Sequence, residues 1–260
     1  MPPKAAARAP AVVFPIAVAA GRDAGPAERR TASDLAARLR LPLLGEGATA
    51  NLLIIPENGY FSLLEPATRT RLAVDYTPEE RRRYRASAGR DPLVRAVGAG
   101  PRRVVDATAG LGRDAVHLAW AGRRIVAIER DPVVATLLEG VLGRAVRSGA
   151  LEPGTVELVP GDAAVVLCSL RPRPEVVYLD PMFPMKRRSS SAARKEMRLL
   201  RLLVGAGPDA HELFEAARET ATERVVVKRP DDAPPLVPHP TMSYSGKLVR
   251  YDVYRTARAS

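Results

Sequence analysis

Four carboxylates close apolar runs in the second half of the chain. Asp106 follows Val104-Val105, Glu129 follows Ile125–Ile128, Asp162 stands just past Leu158–Pro160, and Asp180 follows Val176–Leu179. Between the first two lies Ala109-Gly110-Leu111-Gly112-Arg113-Asp114, whose glycines permit a tight turn and close backbone approach. A strand ending on an acid, a glycine turn opening a helix, and a second acid about 17 residues beyond the turn make a nucleotide-cofactor site.

The number of acids selects among cofactors. A pyrophosphate wants backbone N–H groups and little added negative charge, whereas a sulfonium, an ammonium and ribose hydroxyls all welcome carboxylates. The set therefore points to S-adenosylmethionine. Glu129 is placed on the ribose hydroxyls, Asp162 on the adenine amine, and Asp106 with the Gly110–Gly112 turn near the methionine end. Arg113 is open between the cofactor carboxylate and an internal pair with Asp114.

A second stretch carries the reaction. Asp180-Pro181-Met182-Phe183-Pro184 puts an acid at a strand end and follows it with a stiff, non-helical loop. An aryl amine has its lone pair delocalised into its ring, so attack on a methyl sulfonium needs assistance. Asp180 and the Pro181 carbonyl accept its two N–H bonds, and Phe183 stacks on the base to align nitrogen, methyl carbon and sulfur. The loop continues into Lys186, Arg187 and Arg188. A helix over Ser191–Val204 then brings Arg194, Arg198 and Arg201 to one face, with Met197, Leu200, Leu203 and Val204 turned away. These cations are assigned to RNA phosphate. Lys228 and Arg229 close a further apolar run, and for them two roles stay open: substrate phosphate, or balance for Asp180 and its neighbours.

The elements that must position these groups alternate strand and helix from Arg103 onward. Strands are expected at 104–106, 124–129, 155–160, 176–180 and 224–228, and helices at 114–121, 132–149, 163–170, 191–204 and 209–222. Leu248–Tyr254 alternates apolar and polar residues as a half-exposed edge strand would. The fold class is α/β, a doubly wound, mostly parallel sheet whose ligands sit at the carboxyl ends of the strands. Before it, residues 11–75 read as a small α/β subdomain: a strand at 12–19, a helix capped by Thr31–Asp34 and stopped by Pro42, and two strands joined across Asn58-Gly59. Residues 1–10 are a Pro/Ala tail expected to be disordered, and 76–260 form the main domain.

Composition narrows the partners. The net charge is +11 and nearly all the cations are arginine, which fits an anionic partner, most simply nucleic acid. Thr77-Pro78-Glu79-Glu80 starts a helix that runs into Arg81-Arg82-Arg83-Tyr84-Arg85, open between an RNA-facing element and a solvated face. The single cysteine, Cys168, and three dispersed histidines supply neither a disulfide framework nor metal-ligand spacing, so no metal and a reducing, cytoplasmic setting are expected. Pro15 interrupts a weak signal-like run at the start, and no stretch is long and apolar enough to cross a bilayer.

Together these stretches resemble the RsmJ family, bacterial methyltransferases that modify the exocyclic amine of a guanine in 16S rRNA. The residues that carry the likeness are VDATAGLGRD at 105–114, ERDPVV at 129–134, VVYLDPMFP at 176–184 with KEMR at 195–198, and RVVVKRPDDAPPL at 224–236. The resemblance implies a Rossmann-like class I methyltransferase acting on the guanine N2 amine. It also implies cofactor contacts at Arg113, Asp114, Glu129, Arg130, Asp180 and the pair Asp162 and Ala163. The chain departs from the family pattern at Met185, where a histidine is usual, and at Asp162-Ala163, where two serines are usual. From the residues alone, another amine substrate in DNA or RNA, or a non-catalytic RNA-binding assembly factor, stays open. A nicotinamide oxidoreductase lacks a hydride-handling residue.

Overall fold

The computed structural model describes residues 13–45, 48–57, 60–72, 74–99, 102–181, 191–204 and 209–256. They fall into two compact units, Met1–Ala73 and Val74–Ser260. The N-terminal Pro/Ala tail lies outside the described residues.

In the first unit β1 (Val13–Val18) pairs in parallel with β2 (Thr49–Glu57), and β2 leads antiparallel to β3 (Tyr60–Glu65) and β4 (Thr70–Leu72). Pro15 is tolerated because β1 is an edge strand. Helix α1 (Pro26–Leu39) makes the crossover and buries Ala32, Leu35 and Ala36. It starts earlier than Thr31–Asp34 suggests. Pro26 occupies its first turn, and the Glu28 carboxylate accepts the Gly25 N–H at 3.1 Å, so a cap forms without a Ser or Thr. Thr31 sits inside the helix and donates its hydroxyl to the Ala27 carbonyl. The three-residue β4 carries no period long enough to read from sequence.

The second unit opens with α2 (Pro78–Arg85), capped by Thr77 and Glu80, then a single 3₁₀ turn at Ala88–Arg90 and α3 (Pro92–Val97), capped by Asp91. The strand–helix series follows as β5 (Arg103–Asp106), α4 (Arg113–Trp120), β6 (Arg124–Glu129), α5 (Pro132–Arg147), β7 (Val156–Pro160), α6 (Ala163–Ser169) and β8 (Val176–Leu179). It ends with α7 (Ser191–Val204), α8 (Ala210–Thr220), β9 (Arg224–Pro230), β10 (Met242–Ser245) and β11 (Val249–Arg255). The seven strands lie in the order β10-β11-β9-β8-β5-β6-β7. The run from β9 to β7 is parallel, while β11 is antiparallel to both of its neighbours.

Successive strand residues feed opposite cores, as the two-residue period requires. Val104, Tyr178 and Val226 join Leu93, Val116, Trp120 and Leu138 on one face. Val105, Val177, Val225 and Val227 join Leu167, Phe214 and Ala217 on the other. The doubly wound architecture is therefore present, with helices on both faces.

One strand assignment is corrected. The alternating stretch at 248–254 is an interior strand, and the edge is β10. Tyr251, Asp252, Val253 and Tyr254 are all buried because the polar positions find partners inside. Asp252 accepts from Arg250 Nε at 2.9 Å and from Ser243 Oγ at 2.7 Å, and the Tyr254 hydroxyl donates to the Val237 carbonyl at 2.6 Å.

The strand order reverses at β5, which pairs with β6 on one side and β8 on the other. A crevice opens at the carboxyl ends of strands at such a point. Gly112 holds the turn beside it at φ +77°, and a Cβ there would sit 2.5 Å from Leu138 Cδ1. Gly112→Ala is expected to destabilise the fold by about 1–3 kcal/mol through left-handed strain and overpacking. Denaturant unfolding measures this, and an unchanged midpoint would show that neither constraint acts.

Candidate functional site

The site is built from the residues that follow the parallel strands. β5 ends on Asp106, which is buried and accepts the Thr108 N–H at 3.1 Å. The Thr108 side chain in turn accepts the Asp180 N–H at 2.6 Å, tying the loop after β5 to the residue after β8. The glycine turn is fastened to β6. Glu129 accepts the Gly110 N–H with one oxygen and the Asp131 N–H with the other, both at 2.9 Å. A Cβ at Gly110 would meet nothing within 4 Å, so this side of the turn is open.

At the centre stands Lys228, from β9. Its ammonium donates to Asp114 Oδ2 and to Asp180 Oδ2, each at 2.8 Å. Asp114 Oδ2 also accepts the Tyr178 hydroxyl at 2.6 Å. The register explains the meeting: Leu179 pairs with Val227, so the next residues of β8 and β9, Asp180 and Lys228, fall side by side.

Charge in this cluster is unbalanced. Asp106, Asp114 and Asp180 share the field of Lys228. Burial, reinforced by the Asp114 and Asp180 charges, pushes the Asp106 carboxyl up to about 8. Burial also raises Asp180 and Glu129 above the ordinary carboxylate range. Burial works against Asp114 too, but Lys228 and the Tyr178 hydroxyl hold it below its usual value. Burial opposes the Lys228 ammonium, yet Asp180 and Asp114 keep it protonated well above the usual lysine range. A cluster with more carboxylate than ammonium suits a cationic ligand.

The remaining sequence candidates are placed as follows. Arg113 is exposed at the first position of α4 and lines a cavity between α2 and α4. Asp114 pairs with Lys228 across the sheet. Arg130 is half-buried directly after β6, and Asp131 caps α5. Asp162 caps α6 through the Ala164 N–H at 2.9 Å, with Ala163 buried beside it. Pro181 is buried. Phe183, Lys186, Arg187 and Arg188 lie outside the described residues.

On α7, Arg194 is placed in the helix, Arg198 is exposed and Arg201 is half-buried. Among its described side chains Leu199 is fully buried, and Leu200, Leu203 and Val204 are half-buried. Two corrections concern β9. Of the two roles open to Lys228, the structure brings out charge balance, because its ammonium lies between two carboxylates. Arg229 points to the other face of the sheet, is buried, and donates to the Pro234 carbonyl at 2.9 Å, away from the acidic edge.

Sequence reasoning missed Thr108 and Tyr178. A phenol inside an aliphatic strand must find a hydrogen-bond partner when buried, and that was the available signal for Tyr178. Thr108 gave none, because its role depends on which loop lies across from it.

Comparison with known proteins fits this geometry. A family model described as a putative SAM-dependent methyltransferase matches residues 34–256. Ribosomal RNA small subunit methyltransferase J of Thioalkalivibrio sulfidiphilus is 44% identical over 240 residues, covering 88% of this chain and 94% of that protein. The protein of the same name from Coxiella burnetii is 39% identical over 240 residues, covering 88% and 93%. Among solved structures, a SAM-dependent methyltransferase from Neisseria gonorrhoeae is similar over 94% of this chain and 97% of that one, at 30% identity and a TM-score of 0.71. An open glycine turn tied to Glu129, a crevice at the β5 reversal and an acid-rich floor thus occur in a chain that belongs to the ribosomal RNA small subunit methyltransferase J family of SAM-dependent methyltransferases.

Proposed function

We propose that this chain transfers a methyl group from S-adenosylmethionine to the exocyclic N2 amine of a guanine in 16S rRNA, in a cytoplasmic setting. The observation that carries the reading is the surplus of carboxylate over ammonium around Lys228, at the crevice where β5 meets β6 and β8. When bound, S-adenosylmethionine supplies a methyl group activated by a positively charged sulfur. The residues that would hold it are Asp106, Gly110, Gly112, Arg113, Asp114, Glu129, Arg130, Asp162, Ala163 and Asp180.

The chain's own groups do the rest. Asp180 Oδ2 is fixed by Lys228 and its N–H by Thr108, while Oδ1 has no partner among the described residues. That oxygen and the Pro181 carbonyl accept the two hydrogens of the guanine amine, which localises the nitrogen lone pair for in-line attack. Phe183 would supply the stacking face. Lys228 is a positioning residue: it fixes the Asp180 carboxylate and favours its ionised form. The basic loop at 186–188 and the arginines of α7 are assigned to phosphates beside the target.

Methyl transfer to small-subunit rRNA tests the reading. Asp180→Ala is expected to lower kcat about 100-fold or more, and full activity in that variant would remove the proposed centre. Lys228→Met leaves two neighbouring acids without their cation, so the rising limb of the pH–rate profile should move alkaline. Lys228→Arg should keep it near the parent position. Coincident profiles for all three proteins would deny Lys228 this role.

Asp106 generates a second test. Its carboxyl is pushed up to about 8, so below that pH the empty site holds it neutral, and a cationic ligand favours the ionised form. Cofactor affinity should therefore rise with pH toward about 8, with proton release on binding that calorimetry in buffers of different ionisation enthalpy will register. Asp106→Asn should flatten the dependence. A parent profile already flat between pH 6 and 8 would contradict it.

A further inference from the structure

The cavity between α2 and α4 shares Arg113 with the residues assigned to the cofactor, and its other lining residues have no part in the reaction described above. It encloses about 410 Å³, and Arg83, Tyr84, Arg113, His117 and Trp120 are among its lining residues. Its two carboxylates are already engaged. Glu80 accepts the Thr77 N–H at 2.9 Å, closing the α2 cap, and Asp75 pairs with Arg144 at 2.8 Å. Its wall is aromatic and held firmly. The Tyr84 ring stacks on His117 with centroids 4.4 Å apart and planes 17° from parallel, and Trp120 tilts against both rings at 5.8 and 5.5 Å. The Tyr84 hydroxyl donates to Asp91 Oδ2 at 2.6 Å, and Asp91 itself caps α3.

Charge in the cavity comes from guanidinium. Burial keeps His117 below the ordinary imidazole range, so it is neutral at pH 7. Arg83 is exposed and makes no hydrogen bond or ion pair among the described residues, and the Glu79 carboxylate one turn back on α2 lies in its field. Arg113 stands directly after the glycine turn and is the chain neighbour of Asp114 on the acidic floor. The cavity and the crevice therefore flank one helix start. An aromatic wall beside an exposed guanidinium is the chemistry of nucleotide recognition, base on the ring and phosphate on the arginine.

We infer that this cavity binds a second nucleotide of the rRNA strand, distinct from the methylated guanine, with its phosphate on Arg83 and its base against the Tyr84–His117 pair. The inference rests on the rRNA reading of the crevice. Holding a neighbouring nucleotide keeps the strand in register while the target base is unstacked toward Asp180.

Binding of the full chain to a small-subunit rRNA transcript, followed by fluorescence anisotropy over a range of salt, provides the test. Arg83→Ala should weaken binding about 3- to 10-fold and lower the slope of log K against log salt by about one. Its S-adenosylmethionine affinity and thermal midpoint should match the parent. Tyr84→Leu should weaken RNA binding by a similar factor, whereas Tyr84→Phe, which keeps the ring and loses the Asp91 bond, should recover most of it. Unchanged RNA affinity and salt slope in Arg83→Ala would overturn the inference. So would a loss confined to cofactor affinity, which would give the cavity to the cofactor instead. If the parent chain methylates no small-subunit rRNA, the reading of the crevice fails and the second-nucleotide site falls with it. If it methylates while Arg83→Ala binds as the parent does, the cavity alone is misassigned.

Discussion

A half-buried ammonium joins the two halves of the crevice. Lys228 reaches from β9 to Asp114, at the start of the helix after the glycine turn, and to Asp180, at the start of the loop after β8. Burying an ion is costly unless it is paired with good geometry, and here two carboxylates at 2.8 Å meet that condition. The same pairing means that neither carboxylate is placed independently: a shift of β9 by one residue would turn Lys228 to the opposite face and leave both acids unneutralised. The Leu179–Val227 register and the Thr108–Asp180 bond therefore fix the loop after β5 and the residues after β8 and β9 relative to each other before any ligand arrives.

The pairing also leaves a charge deficit that selects the ligand. With Asp106 held near 8 by burial and by its acidic neighbours, the floor behaves as a site lacking a cation. The glycine turn points the same way. In a dinucleotide site the backbone N–H groups of such a turn face a pyrophosphate, but here the Gly110 N–H is donated to Glu129. A second phosphate-bearing group beside that carboxylate would be repelled, whereas a sulfonium or ammonium would be drawn in. This physical contrast, more than the glycine spacing, separates a methyl-donor site from a nicotinamide site.

Much of the sheet was legible because a strand buried on both faces needs a nearly continuous apolar run. Val104–Asp106, Arg124–Glu129 and Val176–Leu179 all show this, and their terminal acids located the crevice. Elements whose polar residues find partners inside the fold misled the reading. Asp252 and Tyr254 looked solvent-facing but are satisfied by Arg250, Ser243 and Val237, so an interior strand read as an edge. Helix α1 was entered late because its cap is a glutamate reaching back, not a hydroxyl at the N-cap. At the site, the acids followed from local spacing, while Lys228, Thr108 and Tyr178 acquired their roles from residues 48 to 114 positions away. No local pattern encodes such pairings.

The distribution of positive charge completes the division of labour. A net charge of +11 would disable a site for a cationic cofactor if the arginines faced its floor. The floor instead holds Lys228 fully engaged with acids, and Arg229 is turned to the other face of the sheet. Exposed guanidinium groups stand on helices, at Arg82, Arg83 and Arg85 of α2, Arg113 of α4 and Arg198 of α7. Phosphate attraction acts over about a Debye length and needs no fixed geometry, so it is well served by exposed side chains. Methyl transfer needs fixed donors and acceptors in a poorly solvated place. Keeping exposed arginines such as Arg83 and Arg198 on helix surfaces, and Asp106 and Asp180 at strand ends, lets one chain attract a polyanion and still present an acidic floor to a cation.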